Sequence, residues 1–492
     1  MFPHQLALFT ETRDLKSHAI LWEPGLGKSK GAIDIFAYQF EKGAINAVLI
    51  VAPNGVHRNW ISDELPKHLP DRVMAKTRTM FWQTKKSGTV KHKEDFVGLT
   101  LHDGLAVFCI SYSAFVTKAG KAAVWKFMQR RDCFYIADEA HNFKTPKAQR
   151  TKSIVASGRY CKFKRILTGT PCEKPFDLYS QLRFLNPSFW RPYQMNSFEA
   201  FKQYFGVWEH KGPPKIEPGD PRYRRHMKQP GWDELLSYKN VDECADILAT
   251  VSDRRLKEDV LDLPPKLYTK IHFDMTPKQK RMYEQLRDQY ILELEAGDED
   301  IDLALVRLLR MQQIACGYRS TGIDEPTEAC DDTNPRLDAA VDYLQALPHQ
   351  AIVWARFRQD IDQLVDALGA NQCARYDGAV TDDECEQAKL AFNAGTKQFF
   401  VANPARGSEG ITLNGAKTAM FYSNSFKLLQ RIQAEDRCHR IGQDGTDHAE
   451  GFGVLYVDLL ANNTVDEKIV ESLRNKYDLA AQLTGDRFRE WI

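Results

Sequence analysis

Four residues near the amino terminus have the types and spacing that triphosphate chemistry needs: Gly25, Gly27, Lys28 and Ser29, in "LWEPGLGKSKGAIDIF" (residues 21–36). A glycine-rich bend lets backbone N–H groups converge on phosphate oxygens, because no Cβ blocks their approach. A lysine at position 28 would reach the β- and γ-phosphates, and the Ser29 hydroxyl can hold Mg²⁺. The full phosphate-loop pattern has one more glycine, where this chain has Trp22. Taken alone, the stretch also reads as a glycine turn followed by a lysine. A second group lies in "YIADEAHNF", where Asp138 and Glu139 end an apolar run. Ligands of open α/β sheets bind outside the carboxyl ends of the strands. Asp138 can bind Mg²⁺ directly or through water, while Glu139 can orient and deprotonate an attacking water. Positioning and metal charge do most of the work in phosphoryl transfer, so these groups suffice in kind. An acidic helix N-cap is the plain alternative for an isolated pair. Here the pair follows the phosphate loop within one series of strands and helices, and together they point to ATP hydrolysis.

Two further stretches bear on that chemistry. Thr168 and Thr170 in "LTGTP" (167–171) can link the acidic pair to neighbouring groups through their hydroxyls. An ordinary strand-ending turn is the alternative. In "QAEDRCHRIGQ" (433–443), Arg437 and Arg440 share a face if the segment is helical. An arginine inserted from a second lobe can neutralise charge on the transferring phosphoryl group. A surface helix with salt bridges gives the same letters.

The elements that would position these residues follow from apolar patterning. "INAVLIVA" (45–52), "LAVFCI" (105–110), "CFYIAD" (133–138) and "KRILTGT" (164–170) are runs of the kind that strands buried on both faces require. Helical patterns such as "GAIDIFAYQF" separate them, so a doubly wound parallel sheet is expected. A second series runs through "HQAIVWARF", "KQFFVANPA" and "TAMFYSNS". Between the two, residues 209–231 read as an irregular loop rich in proline, glycine and charge, and residues 276–316 as helical. The fold expected is α/β: two RecA-like lobes with a mostly helical insertion. The boundaries expected are 1–188 for the ATP-binding lobe, 189–330 for the insertion, 331–478 for the second lobe and 479–492 for a tail.

Composition narrows the class. Lys and Arg number 67 against 66 Asp and Glu, a net charge of +1, which excludes a polycationic nucleic-acid sponge but not a segregated basic groove. Ten cysteines without a C-x-x-C pair argue against a zinc ribbon and for a reducing compartment. The start lacks the pattern of a signal peptide, and no apolar run reaches transmembrane length. A cytoplasmic protein is expected, in a bacterial or phage-infected cell, or a nuclear one if eukaryotic.

In order, "PHQ" (3–5), "GLGKS", "DEAH", "LTGTP", "ARGSEG" (405–410) and "QAEDRCHRIGQ" resemble the serial motifs of superfamily-two helicases. More narrowly, they resemble the Swi/Snf-like double-stranded DNA translocases. "RRLKEDVLDLPPK" (254–266) and "TPKQKRMYEQL" (276–286) are similar to the segment joining the two lobes in that family. "YDGAVT", "FNAG" and "NNTVDEKIVESLRNK" match in the expected order, and the form of the last arginine motif resembles the annealing-helicase branch. The resemblance implies that Gln5 reads the adenine edge and that Gly25, Leu26, Gly27, Lys28 and Ser29 bind phosphates and Mg²⁺. Asp138 and Glu139 would handle metal and water, with His141, Thr168 and Thr170 coupling the site to DNA. Gln433, Arg437 and Arg440 would complete the site when the second lobe closes, and Glu409 would contact nucleotide. The implied DNA-backbone contacts are Asn54, Asn59, Ser111, Tyr112, Gly378, Gly407 and Ser408. Amides and hydroxyls grip phosphates without reading sequence, although each of these is also a common turn or cap residue.

The chain departs from the family at Trp22 and Pro24, at "SNSFK" (423–427) where a W-N-P segment is usual, and in the polar "GSEGITL". The activity implied is an ATP- and Mg²⁺-dependent translocase on double-stranded or branched DNA. It would remodel forks or branches, anneal strands or displace bound proteins. A monomer is expected, without membrane association, whose partners would come from replication, recombination or transcription. A strand-separating helicase, an ATP-switched DNA clamp and a translocase acting on RNA polymerase are the alternatives.

Overall fold

The computed structural model describes residues 2–129, 131–212, 231–261, 265–295, 301–320, 327–407, 411, 413, 415–439, 453–484 and 486. The chain divides into two compact units. One comprises Met1–Trp208, Leu235–Asp262 and Asp478–Phe488, the other Glu209–Glu234, Leu263–Tyr477 and Arg489–Ile492.

The first unit is built on seven strands: β1 (Ser17–Trp22), β2 (Ala47–Ala52), β3 (Thr77–Phe81), β4 (Leu105–Ser111), β5 (Cys133–Asp138), β6 (Phe163–Leu167) and, after the two-stranded pair β7 (Gly206–Lys211) and β8 (Trp232–Tyr238), β9 (Ser252–Arg255). Their order is β3-β4-β2-β5-β6-β1-β9, and every neighbouring pair is parallel. Strands β2, β4 and β5 are buried along their whole length, as continuous apolar runs between two helical layers must be. Because all seven run the same way, the ends of β4, β2, β5, β6 and β1 form one edge, where the glycine, acidic and threonine motifs all emerge.

The second unit has its own sheet, drawn from β10 (Lys266–Phe273) and, beyond a short hairpin β11 (Tyr318–Ser320) and β12 (Thr327–Ala329), from β13 (Ala351–Trp354), β14 (Cys373–Tyr376), β15 (Phe399–Ala402), β16 (Thr418–Phe421) and β17 (Val454–Ala461). The order is β10-β17-β16-β13-β15-β14, again parallel throughout. The two doubly wound lobes expected from patterning are both present. The irregular loop expected at 209–231 lies mostly outside the described residues, with β7 at its start.

Residues 189–330 divide between the two units. Trp190, Phe201 and Phe205 are buried in the first lobe's core, and β9 adds an edge to its sheet. Strand β10 instead pairs along its full length with β17. The helical stretch expected at 276–316 forms as Pro277–Glu295 and Ile301–Ala315. Among the described residues no helix is long and apolar enough to cross a membrane.

Candidate nucleotide and nucleic-acid sites

Trp22 explains why the phosphate loop lacks its outer glycine. It is the last residue of β1, with its side chain fully buried, and its indole Nε1 donates to Asp253 at 2.7 Å. The bend begins only after it. Gly25 (φ +93°) and Gly27 (φ +82°) take the left-handed backbone that glycine permits, and Gly27 caps helix α2 (Lys28–Glu41) of the first lobe. A Cβ on Gly27 would run into the Gln5 amide. Gln5 lies on helix α1 (Pro3–Thr12), which precedes β1, and its Nε2 donates to the carbonyl of Leu26 at 3.4 Å. His4 Nε2 is 3.0 Å from that same oxygen.

Lys28 Nζ donates to the carbonyl of Trp22 at 2.9 Å, so the amine already sits over the loop. The polar segment at β9 braces this arrangement. Arg255 O accepts from Glu23 N at 3.0 Å, and Glu23 Oε2 accepts from Lys257 N at 2.6 Å. Arg254 donates to the carbonyls of Leu21 (2.6 Å) and Gly169 (2.8 Å) and forks onto Asp486 at 2.9 and 2.6 Å. One guanidinium therefore joins β1, the threonine turn and the segment 478–488. Arg254→Met should cost about 2 kcal/mol of stability, since it strips hydrogen bonds from a half-buried carboxylate and two carbonyls. A double-mutant cycle with Asp486→Asn, read by chemical denaturation, should show coupling of about 1 kcal/mol or more.

At the end of β5, Asp138 is buried, and its Oδ2 accepts from Trp60 Nε1 at 2.8 Å. Trp60 opens a π-helical turn (Trp60–Glu64), a distortion often found at functional sites. Burial first, then the charge of Glu139, raise the Asp138 carboxyl above its ordinary range. Lys28 and the Trp60 hydrogen bond oppose the rise. Glu64, at the end of the same turn, is raised by burial, an effect that the neighbouring Ser29 hydroxyl opposes. A hydroxyl and a buried carboxylate beside a loop of amides suit Mg²⁺ delivered on a triphosphate, which keeps several waters and needs few protein ligands. Among the described residues no cluster of three or more His, Cys, Asp or Glu is placed to hold a metal alone.

Glu139 is held in the left-handed region (φ 51°, ψ 57°), a cost of roughly 1–2 kcal/mol for a residue with a Cβ. Its Oε2 lies 3.3 Å from His141 Nδ1 and 3.4 Å from Thr168 Oγ1. Asn142 Nδ2 donates to Glu139 O at 2.9 Å and stands 3.1 Å from His141 Nε2. An amide nitrogen can only donate, so Nε2 accepts and the imidazole proton sits on Nδ1, facing Glu139 and Thr168. Thr168 Oγ1 accepts from Thr170 N at 3.3 Å and is 3.2 Å from Thr170 O. Glu139, His141, Thr168 and Thr170 thus form one network.

The implied DNA contacts are placed unevenly. Asn54 is exposed beyond β2, and its Oδ1 accepts from Ser113 Oγ at 2.9 Å. Asn59 is half-buried at the end of the short helix Val56–Asn59. The Ser111 hydroxyl caps the next helical turn by accepting from Ala114 N, and Tyr112 is 2% exposed with its hydroxyl donating to Asp138 O at 2.7 Å. These two side chains are spent inside the lobe, and the exposed neighbour facing Asn54 is Ser113. The "SYS" letters do not distinguish the two serines. Only the strand end, which turns Ser111 inward, does so.

In the second lobe, Gly378 and Gly407 follow β14 and β15, which are neighbours in the sheet. Arg406 joins the two turns by donating to the carbonyls of Asp377 and Val380. Gln433 is half-buried on the helix Leu428–Glu435. Arg437 is buried, donating to Gln433 O at 2.8 Å and Ile411 O at 2.9 Å. Ser408, Glu409 and Arg440 lie outside the described residues.

A model of the SNF2-related domain matches residues 9–318, and one of the helicase conserved C-terminal domain matches residues 335–442. Among curated proteins, the chain is 25% identical to the transcription regulatory protein SNF2 of Saccharomyces cerevisiae, over 93% of this chain and 26% of that protein. It is also 25% identical to the human SWI/SNF-related matrix-associated actin-dependent regulator of chromatin subfamily A member 1, over 93% of this chain and 40% of the relative. The chain therefore spans well under half the length of these relatives. A solved structure, the Sulfolobus solfataricus SWI2/SNF2 ATPase core in complex with dsDNA, aligns over 99% of this chain and 93% of its own. Its identity is 20% and its TM-score 0.39.

Proposed function

Since the chain belongs to the SNF2-related family, with a helicase C-terminal domain after it, we propose that it is a DNA-dependent ATPase that translocates on double-stranded DNA. The work done by that movement is remodelling of DNA structures or displacement of bound proteins. The observation that carries this reading is the Glu139–His141–Thr168–Thr170 network, set beside the phosphate loop on one edge of a parallel sheet.

In this reading ATP lies across the Gly25–Ser29 bend, with its adenine near Gln5. Lys28 Nζ leaves the Trp22 carbonyl for the γ-phosphate. Ser29 and Asp138 would hold Mg²⁺, which would supply positive charge against the triphosphate. Glu139 orients a water molecule and takes its proton as the water oxygen bonds to the γ-phosphorus. The bond from phosphorus to the bridging oxygen then breaks, and that oxygen leaves with ADP. Thr168 and His141, both within reach of the Glu139 carboxylate, sense its protonation and its partner. Asn54 and Ser113 grip a duplex backbone from the first lobe, Gly378 and Gly407 from the second. Glu409, Ser408 and Arg440 keep the roles that the family resemblance gives them.

The test is the rate of ATP hydrolysis with no nucleic acid, duplex DNA, single strands, forks and RNA. Duplex DNA should stimulate most, and ATP should drive displacement of a triplex-forming strand with little unwinding of a plain duplex. Duplex affinity should fall steeply with salt and vary little with sequence, because phosphate contacts release counterions. Robust unwinding of long blunt duplexes, or a preference for RNA, overturns the reading.

A further inference from the structure

A cavity of about 410 Å³ opens on the first lobe, within the size range of small-ligand sites. Its lining includes Arg159, Arg183, Arg191, Tyr179, Trp190 and Met195. The floor is rigid. Tyr179, Trp190 and Met195 are all buried, and Trp190 Nε1 donates to the carbonyl of Tyr179 at 3.1 Å.

Three arginines share the lining with that floor. Among the described residues none of them makes an ion pair, although opposite charges elsewhere in the chain are widely paired. Arg183 is half-buried, its guanidinium 5.4 Å from the Tyr179 ring, and Arg159 and Arg191 are exposed. Tyr160 follows Arg159 in the chain, outside the cavity's lining; it is 64% exposed and meets the partly exposed Trp125 edge to face at 4.8 Å.

The cavity is separate from the nucleotide site. Arg159 precedes β6, whose far end carries Thr168, and the helix Leu178–Leu185 returns from the threonine turn to this end of the sheet. The length of β6 lies between Arg159 and Thr168, and none of the cavity's lining residues belongs to the phosphate loop, the acidic pair or the threonine motif, although Gln181, between Tyr179 and Arg183, donates to Pro171 O at 2.6 Å.

Forked guanidiniums match phosphate oxygens in pairs, and an exposed aromatic pair offers faces on which bases can stack. Bases within a duplex have both faces covered by their neighbours, whereas those of a single strand are free. An acidic peptide would satisfy the arginines but leave the two rings unused. We propose that the Arg159–Arg183–Arg191 cavity is a second nucleic-acid site, which takes the phosphodiester backbone of a single-stranded polynucleotide and stacks one of its bases on Tyr160. This goes beyond the duplex-driven turnover proposed above and does not depend on it.

The experiment measures binding of fluorescein-labelled deoxyuridine and uridine 20-mers, which differ only in the sugar, to the full chain by anisotropy, without ATP. Arg159→Gln, Arg183→Gln, Arg191→Gln together should weaken binding at least about tenfold. Loss of three phosphate contacts should also flatten the slope of log affinity against log salt by about 2. Equal losses with both strands would assign the backbone alone, and a larger loss with one would assign that sugar. Tyr160→Ala should weaken binding about tenfold and Tyr160→Trp restore it, as stacking requires. ATP turnover stimulated by duplex should not change in any of these variants. The single exposed change Arg191→Gln, with its melting temperature, keeps the test open if the triple variant does not fold. Wild-type affinity for both strands in a folded Arg191→Gln or triple variant overturns the proposal. So does a polyglutamate 20-mer that binds as tightly as the oligonucleotides and is indifferent to Tyr160→Ala.

Discussion

Glu139→Gln should bind ATP almost normally and hydrolyse it about 10²–10⁴ times more slowly, the range lost with a general base. The geometry makes this substitution a clean one. Glutamine has the same shape, so it fits the left-handed backbone no worse than glutamate does. Its amide oxygen can still accept from Thr168 and from the Nδ1 proton of His141, now 3.4 and 3.3 Å from the carboxylate. What it cannot do is take a proton from water. Removing the charge also removes one of the causes that raise the Asp138 carboxyl, so the lobe loses like-charge repulsion and its melting temperature should not fall. Lys28→Ala serves as the contrast. It should abolish turnover and also weaken ATP binding, because the amine now over the loop is the group assigned to the γ-phosphate. Both are measured as DNA-stimulated hydrolysis beside nucleotide affinity. A Glu139→Gln protein that turns over at the normal rate removes Glu139 from the role of base.

What made this site readable was its order along the chain, and what hid the rest was context. The apolar runs that became β2, β4, β5 and β6 announce buried parallel strands because no polar residue interrupts them. Strand β9 reads "SDRR", which no periodicity marks as a strand. It is an edge strand whose side chains are needed elsewhere: Asp253 for the Trp22 indole, Arg254 for the carbonyls and Asp486. Trp22 breaks the phosphate-loop pattern in the letters and preserves it in space, since the bend starts one residue later. Trp60 and Glu64 carry no motif at all. Their approach to Asp138 and Ser29 depends on a π-helical turn, and local spacing does not report one. Tyr112 shows the opposite failure, a motif-like polar residue whose hydroxyl is used within the core.

Arg437 and Arg440 should separate sharply when each is replaced, although they lie three apart in one motif. Arg437 is buried and donates to Ile411 O and Gln433 O, while the carbonyl of Arg437 accepts from Leu413 N at 3.0 Å. It thereby fastens Ile411 and Leu413 to the end of the helix carrying Gln433. Arg437→Ala takes the donors from one buried carbonyl (Ile411) and one part-buried carbonyl (Gln433), at about 1–3 kcal/mol for the buried one, so the second lobe should melt earlier whatever becomes of catalysis. Lysine cannot repair this, because one ammonium does not reproduce two directions of a planar fork. Arg440 is assigned to the charge that develops on the transferring phosphoryl group, and its removal should cost about 10³-fold or more in DNA-stimulated turnover. A surface salt-bridge partner would instead change stability by at most about 1 kcal/mol and leave turnover alone. ATP affinity should survive in Arg440→Ala, because the Gly25–Ser29 loop and Lys28 remain intact in the first lobe. The decisive comparison is a melting curve, an ATP titration and a DNA-stimulated rate on each single variant. An Arg440→Ala protein with an unchanged rate would leave the phosphoryl charge to Lys28 on the protein's side, and the "QAEDRCHRIGQ" stretch would then act through the packing of Arg437 alone.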